Sequence, residues 1–63
     1  MQPFELVRSA VGDMDAARAV PAEKVDVIVR EAMKRAEGHE GEEWACRVVV
    51  AANRLLREAH CAD

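Results

Sequence analysis

Side-chain nucleophiles are scarce in this chain: it has no tyrosine, no threonine, and a single serine, Ser9, with no histidine at any helical spacing from it. There is no Gly-rich phosphate loop. A chain of 63 residues also has little volume for a substrate pocket of several hundred Å³. These absences argue against an enzyme acting alone, and no cofactor is expected. Aromatic residues are equally few. Phe4 and Trp44 are the only two, so any core must be built from Val, Leu, Ile, Ala and Met. No apolar run approaches the roughly 20 residues that cross a bilayer. The stretch Met1-Gln2-Pro3-Phe4-Glu5 lacks the basic and apolar regions of a signal peptide, so the expected compartment is the cytoplasm and no membrane partner is expected. An excess of positive charge is also missing. The net charge of −3 speaks against a broad nucleic-acid surface, which needs a positive potential on at least one face.

What is abundant is apolar and charged side chains in helical alternation: 51% hydrophobic and 33% charged. That balance belongs to a folded chain rather than a disordered one, and 63 residues make one small domain at most. Gly and Pro divide it into three pieces. Wound at 100° per residue, the middle piece places Val25, Ile28, Val29, Ala32, Met33 and Ala36 on one side. Its charged residues lie opposite, and only Val27 is misplaced. The third piece gathers Trp44, Ala45, Val48, Val49, Ala51, Ala52, Leu55, Leu56 and Ala59 on one arc, with Cys46 and Val50 as the exceptions. The first piece groups Phe4, Leu6, Val7, Ala10, Val11, Met14 and Ala17, with Arg18 intruding and a possible break at Gly12-Asp13. Runs 24–29 and 47–50 are rich in β-branched residues, but both sit inside segments that keep the helical phase. The expected fold is all-α: a three-helix bundle with helices at about 3–19, 21–37 and 42–60, closing as a monomer or as a helical homodimer. Pro21 suits the first position of helix two, Lys34 and Arg35 suit its last turn, and Gly38 suits its stop.

The candidate chemistry is thin. Cys46 and Cys61 lie 15 residues apart on one expected helix, about 22 Å along its axis. A disulfide within the chain is excluded at that separation, as is a shared metal. An antiparallel dimer could instead bring Cys46 near Cys61 of the other chain. The stretch Glu37-Gly38-His39-Glu40-Gly41-Glu42-Glu43 concentrates one imidazole and four carboxylates but follows no metal-ligand spacing. No metal site is expected, and the acidic residues suit a helix N-terminus. Helices two and three share the outline of a helix-turn-helix. The positions that would read bases, however, carry Glu42 and Glu43. The spacing also predicts i, i+4 ion pairs Asp26–Arg30, Glu31–Arg35, Glu43–Arg47 and Arg54–Glu58, which leaves Arg57 and Lys34 unmatched.

By elimination the expected function is protein–protein interaction through an amphipathic helix face: an adaptor, an inhibitor or a regulatory subunit. Val27, Val50, Trp44 and Arg57 are the candidate partner-binding residues. Trp44 suits the end of an aliphatic core as well as a binding hot spot. The alternative is a small dimeric helical DNA-binding regulator or antitoxin, in which two-fold assembly gathers Arg30, Lys34 and Arg35 from both chains.

Overall fold

The computed structural model describes residues 3–61 and is an all-α three-helix bundle. Helix α1 spans Pro3–Gly12, a single 3-10 turn spans Asp15–Ala17, α2 spans Ala22–Arg35 and α3 spans Gly41–Cys61. The long dimension of the molecule, 34 Å, is set by α3, whose 21 residues rise about 32 Å at 1.5 Å each.

Helix one is shorter than the expected 3–19. It ends at Gly12, where helix propensity drops. Asp13 N–H still donates to the carbonyls of Ser9 and Ala10 at 3.2 and 3.3 Å, and Met14 N–H reaches Val11 O at 3.1 Å. Met14 itself is extended, with φ −69° and ψ 143°, so the helical phase is lost there. The second piece starts after Met14 and is not capped by Asp13. It turns through 3-10 bonds, Ala17 N–H to Met14 O at 3.0 Å and Val20 N–H to Ala17 O at 3.1 Å. It cannot lengthen into an α-helix because Pro21 disfavours the α conformation at the preceding residue. The change of direction buries Ala17 and Val20 and leaves Arg18 exposed.

Pro21 stands one step outside α2, in the N-cap position, not at the first helical residue. Its carbonyl accepts from the N–H groups of Lys24 and Val25, both at 3.0 Å, which is the first intrahelical bonding of the cap residue. Lys34 and Arg35 occupy the last turn. The helix stops at Ala36, and Gly38 follows with φ +92°. The Glu40 carbonyl accepts from Trp44 N–H at 3.3 Å to start α3, and Gly41 has φ +60°. Both glycines take backbone angles that cost an L-residue roughly 1–2 kcal/mol. Gly38→Ala should therefore destabilise the fold by about 1–2 kcal/mol, read as a lower urea midpoint at unchanged slope. A midpoint that does not move would mean that this turn is not held as described.

The core is aliphatic, as the scarcity of aromatics requires. Val25, Ile28, Val29 and Ala32 from α2, and Ala36 just after its end, bury together with Val48, Ala51, Ala52 and Leu56 from α3, and Val11, Ala17 and Val20 close the core from the N-terminal segment. No polar or charged residue is buried among those described. Phe4, Val7, Met14, Met33, Trp44, Leu55 and Ala59 pack around the margin, half-buried. The expected arcs are too wide at four places: Leu6, Ala10, Ala45 and Val49 are exposed. Two of these lie on α1 itself and two in the first half of α3.

Candidate functional site

Val50 and Val27, the two valines out of phase with their arcs, are both exposed, at 50% and 64%. Their surroundings differ. Val50 lines an open surface groove of about 690 Å³ that runs along α3, with Glu42, Glu43, Cys46, Arg47, Ala51 and Arg54, and is bordered by Arg35 at the end of α2. The end of α2 thus lies beside the first half of α3, as a short-loop helical hairpin requires. Val27 lines none of the described grooves. By helical phase it stands opposite the buried face of α2.

The groove lining mixes Val50, Ala51 and Cys46 with the charged Arg35, Glu42, Glu43, Arg47 and Arg54. Its charges are partly tied down. Arg35 Nε donates to Glu31 Oε1 at 3.4 Å. Arg47 lies 3.7 Å from Glu43 Oε1, and His39 Nδ1 lies 3.0 Å from that same oxygen. Two of the expected i, i+4 pairs are therefore present, Glu31–Arg35 and Glu43–Arg47, and His39, also four residues before Glu43, adds a contact that was not among the expected pairs. Among the described residues Arg54 forms no ion pair with Glu58. Asp26 does not pair with Arg30 either. It accepts from Arg8 Nε across the α1–α2 contact, while Arg30 places its guanidinium 5.3 Å from the centre of the Phe4 ring, within cation–π reach. A cross-helix partner is invisible to i, i+4 counting, because it depends on which flank of α2 faces α1.

Trp44 packs against the core margin and shares a shallow hollow with Phe4, Arg30, Met33, Lys34 and Glu37. The three cations of the DNA-binding alternative divide between surfaces. Arg30 and Lys34 line this hollow, whereas Arg35 borders the Val50 groove. Arg57 lines a separate small cleft with Asp15, Ala16, Ala19 and His60. Among the described residues no three His, Cys, Asp or Glu side chains converge as metal ligands. Cys46 is exposed and unbonded. It shares one unbroken helix with Cys61, so a bond between them within one chain is excluded. The Cys61 side chain, and with it the cross-dimer pairing, lies outside the described residues.

No helix among the described residues is long and apolar enough to cross a membrane. Compared with family models, curated proteins and solved structures, the chain matches none of them.

Proposed function

We propose that this chain is a non-enzymatic protein–protein interaction module of the cytoplasm, an adaptor, inhibitor or regulatory subunit, that binds through the outer face of α3. One observation carries the reading: Val50, half-exposed, lines an open groove together with Ala51, Cys46 and five charged residues. Apolar contact area set among charged groups is the make-up of a protein interface, and a helix face supplying anchors at helical spacing is a recurrent way to build one. Isolated exposed valines are ordinary. Val50 differs from Val27 in having a concave, mixed-charge setting.

The test is capture from a lysate of the source cells, with and without nuclease, using the wild type, Val50→Glu and Val27→Glu. Val50→Glu is expected to reduce capture by tenfold or more, because it places a charge within the proposed interface. Val27→Glu is expected to leave it unchanged, and both variants should keep the wild-type helical circular dichroism. If neither variant changes association, the choice of surface is wrong. Partners lost on nuclease treatment, with binding that falls steeply as salt rises, would replace this reading with the DNA-binding regulator.

A further inference from the structure

Glu43, Val50 and Arg57 follow one another at intervals of seven along α3. Residues seven apart on a straight helix differ by only about 20°, so these three form one line along the surface. All three are exposed. The line is acidic at its start, where Glu42 stands beside Glu43. Its middle is Val50, beside which stand the exposed Cys46, Arg47 and Arg54, three or four residues away. It is basic at its end, Arg57. Arg57 has no carboxylate three or four residues away in sequence. It makes no ion pair among the described residues, although the Asp15 side chain shares its cleft. Glu43 Oε1 lies near His39 and Arg47, and the Glu43 side chain stays 62% exposed, within reach of a donor from outside.

Resting on the reading of this face as a binding surface, we infer that its occupant is a second copy of the chain, lying antiparallel about a two-fold axis at Val50. A two-fold interface is self-complementary, so a residue n places before Val50 meets the residue n places after it on the partner. Glu43 then faces Arg57 of the partner subunit, the same contact recurs at the other end, and the two Val50 side chains meet in the middle. Heptad spacing keeps these three residues on one side of α3, so all of them can face the same partner helix. Charge decides the orientation. A parallel pair would set Glu43 against Glu43 and Arg57 against Arg57, whereas the antiparallel pair matches opposite signs at both ends. In this register the two Cys46 residues are offset by eight positions, about 12 Å along the axis, beyond disulfide reach. Oxidation should not cross-link them.

Sedimentation equilibrium of the full chain tests the inference, over concentrations from on the order of 10 µM to 1 mM, the range suited to a small interface. The wild type should rise from 7.0 kDa toward twice that mass. Glu43→Arg and Arg57→Glu should each weaken association at least about tenfold, since each puts like charges at both ends. An equimolar mixture of the two variants should associate again, because every end contact then pairs opposite signs. Damage to the fold, including loss of the Glu43–His39 contact, would not be repaired by mixing. A chain that stays at 7.0 kDa throughout, a dimer indifferent to both reversals, or a mixture that does not recover would each overturn the second-copy assignment. If the chain is monomeric and Val50→Glu still abolishes capture of another protein, the assignment fails and the interaction reading stands. If neither Val50→Glu nor the reversals change any association, both fail.

Discussion

Leu56→Ala should leave the protein largely unfolded at 25 °C. Leu56 is fully buried and is the largest of the fully buried side chains. Truncating a buried leucine costs about 2–5 kcal/mol, the lost transfer energy plus the cavity left behind. A single core in a chain of this length supplies roughly 3–5 kcal/mol in total, so the loss is as large as the stability it is taken from. The neighbouring Leu55 is only half-buried and provides the internal comparison, since Leu55→Ala removes less buried surface and should cost clearly less. Urea titration followed by helical circular dichroism reads both variants. A Leu56→Ala protein that keeps its full helical signal and loses under about 1 kcal/mol would mean that α3 does not present this residue to the core.

Ala32→Leu is the second large effect, and it runs against intuition. Leucine is apolar and forms helix almost as readily as alanine, so at an unspecified helical position the change would be mild. Ala32 is completely buried, as are Ala36 and Ala52, and Ala51 is nearly so. These alanines come from α2, the residue just after its end, and α3, and α2 and α3 are the two helices in most extensive contact. Small residues at such a contact let helix axes approach toward the short end of the usual 8–10 Å. Three added carbons have nowhere to go without pushing the helices apart, which costs about 1–3 kcal/mol and sometimes more. Ala45→Leu, at an exposed position of α3, should stay within about 0.5 kcal/mol of the wild type. Equal urea midpoints for Ala32→Leu and Ala45→Leu would show that the alanine seam is not tight.

Both substitutions fall on residues that periodicity alone assigns to the core: Ala32 by the phase of Val25, Ile28 and Val29, and Leu56 by the phase of Val48 and Ala52. The exposure of Val27 and Val50 is legible in the same way, because each breaks the phase of its own helix. What phase does not carry is how much of an arc its neighbours cover. Val49 and Ala45 lie on the apolar side of α3 and are still exposed. A valine that breaks the pattern can therefore be found by counting, whereas the exposed Val49 cannot.

The candidate groove was legible in part. Val50 stands out in the sequence, and Glu31–Arg35 and Glu43–Arg47 follow from spacing within one helix. That Arg35 and Arg54 border the same groove is a fact about two helices, and nothing in the order of residues along either one contains it. The Arg8 contact with Asp26 and the stacking of Arg30 on Phe4 are of the same kind. Periodicity and the preferences of glycine and proline act within a few residues, so they mark three amphipathic segments and most of their buried stripes, but they carry the first helix on to residue 19. Where the chain turns after Met14, which flank of each helix meets which neighbour, and that a groove forms beside Val50 all come from packing. Those outcomes depend on contacts between residues far apart in the chain, chosen by how whole helices pack against one another.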